Sequence, residues 1–311
     1  MKIIESASKA SAYIAEMKAK GKKIGFVPTL GGLHKGHQSL MQKALKENEI
    51  TIISIFLNPM QFRKKQYLEY PSDFEQDKML AQQIDMIFHP DVTEMFQSVK
   101  NHDDFFRFQN EECQERLTEY FLIEEKNGID NLIRVPSTLV HQLDGKLHPW
   151  FFDGSATIVS RLFKILQPDN AYFGEKDIQQ LAILQKMAKT YFPDIKVIGV
   201  PTLREADGLA FSSRNVLLSD EQRQLALSVC RALRHGENLI KKGELSAPTV
   251  LNAIKERIKA PVKIDYIDIV DKKSLKPVHQ IREVIVLYIA FFLNHIRLTD
   301  TLIVDRLSGE K

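Results

Sequence analysis

Pro28-Thr29-Leu30-Gly31-Gly32-Leu33-His34-Lys35-Gly36-His37 joins a strand to a helix through a glycine turn. Before it, Ile24-Gly25-Phe26-Val27 reads as a short buried strand ending at Pro28. After it, residues 37–45 have helical spacing, with Leu40, Met41, Ala44 and Leu45 on one side. Strand, glycine turn and helix make the first half of a βαβ unit. The turn places backbone N–H groups and two imidazoles at the positive end of a helix, where a phosphate is well received. Glycines, which have no side chain, leave room for such a ligand to approach. The spacing is neither GxGxxG nor the Walker A pattern, so it indicates neither a dinucleotide fold nor a P-loop. Histidines at i and i+3 would equally serve as helix caps. With no HExxH and no third ligand in view, metal ligation is not favoured.

The same alternation continues outward. Residues 50–57 form a β-branched run stopped by Asn58-Pro59, and 85–88 give a third strand closed by Pro90. A helix at 155–166, a strand at 170–173, a helix at 177–189 and a strand at 195–200 follow, predicting βαβ units around a parallel sheet. Pro201 then breaks the chain. A domain boundary is placed there, dividing 1–200 from 201–311. The second part reads as α+β, with helices at 220–241 and 247–258 ahead of strands at 262–270, 284–292 and 297–304. Residues 96–128 fit poorly: charged and aromatic, helix-like only at 111–125, they read as an insertion over the surface of the first domain.

Composition narrows the class. A chain of 311 residues with 44% hydrophobic and 27% charged residues is a folded globular protein. Lys and Arg number 43 against 40 Asp and Glu, a net +3 that does not advertise a nucleic-acid partner. Residues 1–19 mix Lys2, Glu5, Lys9, Glu16 and Lys18 among apolar positions, unlike a signal peptide. The most apolar run, 284–293, is too short to span a bilayer and reads as a buried strand. Cys113 and Cys230 form no CxxC pair, so neither a disulfide framework nor a cysteine zinc site is suggested. A cytoplasmic enzyme with no membrane partner is the expectation.

Several segments taken together resemble one family. His34-Lys35-Gly36-His37 after a strand and turn is the HxGH pattern of the nucleotidyltransferase superfamily, which cleaves ATP between its α- and β-phosphates. Ser54-Ile55-Phe56-Leu57-Asn58-Pro59-Met60-Gln61-Phe62, Tyr70-Pro71 with Asp77, Phe173-Gly174-Glu175-Lys176-Asp177-Ile178-Gln179-Gln180-Leu181 and Asp207-Gly208-Leu209-Ala210-Phe211-Ser212-Ser213-Arg214-Asn215 extend the likeness. Over nearly its whole length, least between 96 and 151, the chain is similar to the pantothenate synthetases, the pantoate–β-alanine ligases. The resemblance implies a Rossmann-like parallel-sheet domain that binds ATP and pantoate. A smaller C-terminal α+β domain would close over the site, and a homodimer would be built on the first domain. It implies a pantoyl-adenylate intermediate with release of pyrophosphate, then attack by β-alanine to give pantothenate and AMP, on the coenzyme A pathway.

Carried over by motif, the resemblance implies ATP contacts at Leu30, Gly31, Gly32, His34, Gly36, His37, Gly174, Glu175, Lys176, Asp177, Leu203, Phe211, Ser212, Ser213 and Arg214. Contacts with pantoate or β-alanine fall on Thr29, Gln61 and Gln180, and the catalytic set is His34, His37, Lys176, Ser212, Ser213 and Arg214. Mg2+ is expected with ATP, with Asp77 or Asp177 as possible ligands. These residues also make chemical sense alone. Lys176 sits past a strand, at the edge where α/β sheets bind ligands, although it could be a solvated surface lysine. Asp177 could equally cap the next helix. Residues 212–214 are a compact donor cluster suited to a polyphosphate leaving group, or an ordinary serine turn. Gln61 and Gln180 are neutral amides able to bind a hydroxy acid without a permanent ion pair, or buried glutamines serving the backbone.

The pattern departs at one place. The family usually carries Gly-Ala-x-Arg-Pro-Gly-His-Phe ahead of the helix predicted from 155, whereas this chain has Asp144-Gly145-Lys146-Leu147-His148-Pro149-Trp150-Phe151-Phe152-Asp153-Gly154. Lys146 and His148 are expected at the site entrance, partly replacing the arginine, though an ammonium cannot form a guanidinium's planar fork. Two rival readings are weighed. An adenylyl- or cytidylyltransferase would keep the nucleotide on its product; the Gln61/Gln180 pair and the Ser-Ser-Arg-Asn loop argue against it. A non-catalytic homologue binding a nucleotide or partner is disfavoured by the intact phosphate-contacting set.

Overall fold

Near-continuous runs of Ile, Val and Phe become strands buried on both faces, as a parallel sheet requires. The computed structural model describes residues 1–99, 105–106, 119–126 and 129–306. The chain forms two compact units: Met1–His141 with Gly145–Gly174 and Gln179–Val200, and Gln142–Asp144 with Glu175–Ile178 and Pro201–Lys311.

In the first unit the strands are β1 (Lys2–Ile4), β2 (Ile24–Thr29), β3 (Ile50–Ile55), β4 (Met86–Phe88), β5 (Leu122–Lys126), β6 (Ile129–Arg134), β7 (Asn170–Gly174) and β8 (Lys196–Val200). Six make one sheet in the order β1-β4-β3-β2-β7-β8, with every pair parallel. The chain winds outward from β2 through β3 to β4 and returns to β7 on the other side of β2. The carboxyl ends of β2 and β7 therefore flank the switch point where such sheets bind ligands. Ile24, Phe26, Val27, Ile52 and Ile53 are wholly buried at its centre. The Lys35–Glu47 helix buries Leu40, Met41 and Ala44, the face its spacing predicts.

Four local expectations need correction. β2 does not stop at Pro28 but runs on to Thr29; pairing with β7 covers only Gly25 and Phe26, so the proline's missing N–H breaks no ladder on that side. The helix expected from 155 starts at Pro149, where a proline needs no partner for its absent N–H, and it buries Trp150 and Phe152 before Ser155 is reached. Leu122–Lys126, which overlaps the end of the stretch read as helix-like, is a strand paired antiparallel with β6, and Ile123 faces Ile133 across the pair; residues 111–118 lie outside the described residues. Nor does the described part of 96–128 merely cover the surface. Phe96 and Phe105 are wholly buried with ring centroids 4.9 Å apart, and the Arg161 guanidinium lies over Phe96. β1 and the Ala7–Ala19 helix have no counterpart in the sequence reading; the three residues of β1 give too short a period to register.

The second unit carries a three-stranded antiparallel sheet of β9 (Lys263–Asp271), β10 (Val284–Leu293) and β11 (Ile296–Asp305), with β10 central. The apolar run at 284–293 is thus a core strand. The Asp220–Lys241 and Ala247–Arg257 helices bury Leu227, Leu233, Val250 and Ile254 in the same cluster as Ile285, Leu287 and Ile289. Among the described residues no helix is long and apolar enough to cross a membrane.

Candidate active site

The glycine turn after β2 is braced from within its own unit. Gly31 and Gly32 have φ of 87° and 62°, left-handed values that tolerate little but glycine. Asp77 grips the turn: Oδ2 accepts from Gly32 N–H at 3.0 Å and Oδ1 from Leu33 N–H at 2.6 Å. Tyr70 Oη donates to the Gly31 carbonyl at 3.4 Å. The Tyr70-Pro71…Asp77 motif is therefore a clamp on the loop. Asp73 caps the helix that carries Asp77, and Phe74 of that helix stacks on His89, whose Nδ1 donates to the Ile55 carbonyl. Burial pushes the Asp77 carboxyl above the ordinary aspartate range, with the Leu33 and Gly32 N–H bonds pulling against it.

His34 is the N-cap of the Lys35–Glu47 helix, and its Nδ1 accepts from Gly36 N–H at 3.1 Å. His37 Nδ1 accepts from His34 N–H at 3.3 Å, and the two rings lie 4.0 Å apart. A ring nitrogen that accepts carries no proton, so each neutral imidazole has its proton on Nε2. One expectation fails here. The N–H groups of Gly32, Leu33, His34 and Gly36 are engaged inside the loop and are not held open for an anion. The imidazole Nε2–H groups are the donors the loop is built to aim.

The paired amides are held with defined polarity. Asn58 Oδ1 accepts from Met60 N–H, which fixes Asn58 Nδ2 as a donor, to the Gly154 carbonyl and to Gln61 Oε1, both at 3.0 Å. Gln61 is thereby left with its Nε2 hydrogens to offer. A Cβ on Gly154 would meet Met60 at 2.8 Å, so the close approach needs glycine. Next to Gly154, Ser155 Oγ accepts from Gln180 Nε2 at 2.8 Å, leaving the Gln180 carbonyl as an acceptor. Asn58 and Ser155 had no role in the sequence reading. An asparagine before a proline at a strand end signals Asn58; nothing local signals Ser155. Gln179 is a buried brace, with Nε2 on the Leu139 and Val140 carbonyls and Oε1 on Gly145 N–H. Thr29 Oγ1 donates to the Ser54 carbonyl at 2.7 Å and accepts from Gly31 N–H. Leu30 is half-buried. Lys146, exposed, ends the Leu143–Lys146 turn, and His148 immediately precedes the Pro149 helix with its ring against Trp150.

In the second unit, Glu175–Asp177 is a single turn of 3-10 helix directly after β7, which ends at Gly174. Lys176 Nζ donates to Thr299 Oγ1 at 3.2 Å and lies 3.7 Å from the Asp177 carboxylate; Glu175 pairs with Lys272 at 3.3 Å. Phe211 N–H donates to the Leu203 carbonyl, and Arg204 bridges to Ala210, so residues 203–211 double back on themselves. Ser212 caps the Ser213–Leu217 turn by accepting from Arg214 N–H, and Arg214 Nη1 donates to the Arg297 carbonyl at 3.0 Å. Ser212 thus fills the turn role that the plainer reading gave it. Both Asp77 oxygens are taken by backbone, and among the described residues no three His, Cys, Asp or Glu side chains gather to hold a metal.

A parallel sheet with a clamped glycine turn and a reciprocally capped histidine pair at its switch point defines a nucleotide-binding α/β enzyme. The family model described as pantoate-beta-alanine ligase matches residues 2–303. The chain is 39% identical over 308 residues to a pantothenate synthetase of Thermotoga petrophila, covering 97% of this chain and 99% of the relative. A second from Sulfurihydrogenibium is 38% identical with the same coverage. The crystal structure of pantothenate synthetase from Thermus thermophilus superposes with a TM-score of 0.80 at 34% identity, over 97% of this chain and 99% of that one. The Francisella tularensis pantoate-beta-alanine ligase, solved with beta-gamma ATP and beta-alanine, gives 0.73 at 27% identity over the whole of both chains. The chain belongs to the pantoate–β-alanine ligase family, ATP-dependent enzymes that form pantothenate.

Proposed function

We propose that this enzyme joins pantoate to β-alanine in two steps through a pantoyl adenylate. A pantoate carboxylate oxygen attacks the α-phosphorus of Mg-ATP; the C–O–P bond forms, the bond to the β-phosphate oxygen breaks, and pyrophosphate leaves. The β-alanine amine then attacks the acyl carbon, AMP departs, and the amine proton goes to solvent. The observation that carries this reading is the histidine pair. His34 and His37 are locked as Nε2–H donors, which can stabilise charge growing on a pentavalent phosphorus without first losing a proton. Lys176 with Ser212, Ser213 and Arg214 takes the charge of the leaving pyrophosphate. Gln61 offers N–H to the pantoate carboxylate and Gln180 accepts from a pantoate hydroxyl, so the nucleophile is held without being neutralised. Leu30, Gly31, Gly32, Gly36, Gly174, Glu175, Asp177, Leu203 and Phe211 line the nucleotide, and Thr29 supports the acid side. Once the mixed anhydride exists, the second step needs little beyond proximity and exclusion of water.

Magnesium enters as part of the substrate, held by the ATP phosphates. We further propose a cytoplasmic homodimer built on the first unit; sedimentation at micromolar concentration should give twice the chain mass. An acid-by-amine substrate panel, read out as pyrophosphate and AMP, tests the reaction itself. Pantoate with β-alanine should release both, and a nucleotidylated product in place of AMP would overturn the proposal.

A further inference from the structure

Alternate residues of a strand point to one side. On β11 that places residues 297, 299 and 301 on one face, whose two threonines bond Lys176, while the strand's backbone meets Arg214, the other cation assigned above to the departing pyrophosphate. Thr301 Oγ1 donates to the Lys176 carbonyl at 2.5 Å, while Thr299 Oγ1 accepts from Lys176 Nζ at 3.2 Å. The Arg297 carbonyl accepts from Arg214 Nη1 at 3.0 Å. Arg297 is itself pinned, forked onto Asp144 at 2.7 and 3.0 Å and bonded to Asp265 at 2.9 Å. The opposite face is pinned as well: Asp300 is forked by Arg204 at 2.8 and 2.9 Å. Thr301 is buried, and the strand is held on both faces.

We propose that Thr299 and Thr301 are positioning residues for the adenylate-forming step, setting where Lys176 stands for the polyphosphate. The inference rests on the role given above to Lys176. Thr301 fixes the turn that carries the lysine through its backbone, and Thr299 fixes the ammonium. The Thr299 partner is neutral, and the nearest carboxylate, Asp177, is 3.7 Å from Nζ, beyond hydrogen-bond reach. The ammonium has three hydrogens, so an incoming phosphate oxygen can take one while Thr299 keeps hold of another, with only the loose Asp177 pair to relax. A carboxylate at position 299 would hold the ammonium back from the nucleotide.

The test is pyrophosphate–ATP exchange with pantoate, run on Thr299→Val, Thr301→Val, Thr301→Ser and Lys176→Ala alongside thermal melting. Each valine variant should raise the ATP Michaelis constant roughly tenfold, the scale of one lost hydrogen bond, and leave the pantoate constant unchanged. Thr301→Ser, which restores the donor, should recover the wild-type ATP constant. If Lys176→Ala abolishes exchange but both valine variants behave as wild type, the positioning role is overturned and the role of Lys176 stands. If Lys176→Ala keeps full exchange, the role of Lys176 falls and the inference with it. Should Thr301→Val melt early, Thr299→Val decides: this half-buried position tolerates the isosteric change, and an unaltered ATP constant there overturns the proposal.

Discussion

His37 Nδ1 accepts the backbone N–H of His34, and His34 Nδ1 accepts that of Gly36, so two histidines three residues apart cap one helix and fix one another's tautomer. The plain structural reading of such a pair, as caps, and the functional reading, as phosphate ligands, are compatible. One nitrogen of each ring does the capping and aims the other.

Replacing His37 with alanine should lower the rate of adenylate formation on the order of a hundredfold, the usual effect of removing a preorganised donor. The melting temperature should move little, because the helix keeps its His34 cap. Full activity in this variant, or a protein that does not fold, would return the pair to a structural role only.

Asp77 clamps the glycine turn through both carboxylate oxygens. Asp77→Ala strands two N–H groups and should cost about 2 kcal/mol or more of stability along with activity. Asp77→Asn keeps one oxygen acceptor and should fall between. Raising magnesium should rescue neither; rescue of Asp77→Asn by excess magnesium would show that the carboxylate serves the ion.

Gln61→Glu keeps the oxygen that Asn58 needs but removes the N–H groups and adds a charge like that of the acid. The pantoate Michaelis constant should rise about a hundredfold, with the ATP constant close to wild type, since like charges set face to face cost several kcal/mol. An unchanged pantoate constant would remove Gln61 from the acid site.

Asp130 reports on the anchoring of the stretch that begins at Phe96. Burial pushes its carboxyl up, but bonds from Ser98, Arg161 and Asn131 outweigh this and bring it down to about 2. A carboxyl depressed on folding contributes stability above its unfolded pKa and loses it as pH falls through the folded one. The stability gap between wild type and Asp130→Asn in urea unfolding should therefore be full above about pH 4 and close towards pH 2. A gap independent of pH would mean that Arg161 does not hold this carboxylate.

Lys146→Ala asks whether the segment that lacks the family's arginine guides the acid. If it does, the pantoate Michaelis constant should rise roughly fivefold, as for one exposed contact, without change for ATP. Identical kinetics would leave the segment structural.

What the sequence discloses is what has a period or a punctuation mark. The alternation of strands and helices, the glycine turn with its two histidines and the Asp220–Lys241 helix are all of this kind, and the structure has them where their residues indicate. What escaped depends on partners distant in the chain. Nothing near Asp77 says that its carboxylate closes on Gly32 and Leu33, more than forty residues earlier, or that Ser155 will meet Gln180. The antiparallel pairing of β5 with β6 was hidden because charged side chains on an exposed strand imitate a helical surface. The Pro149 start was hidden because proline reads as a breaker when it can equally be a first residue.

Isotope exchange between pyrophosphate and ATP reports on the adenylate itself. With pantoate and magnesium present and β-alanine absent, labelled pyrophosphate should appear in ATP, because the first step reverses without the amine. Exchange that requires β-alanine would contradict the stepwise scheme and with it the roles given to the histidine pair and Lys176.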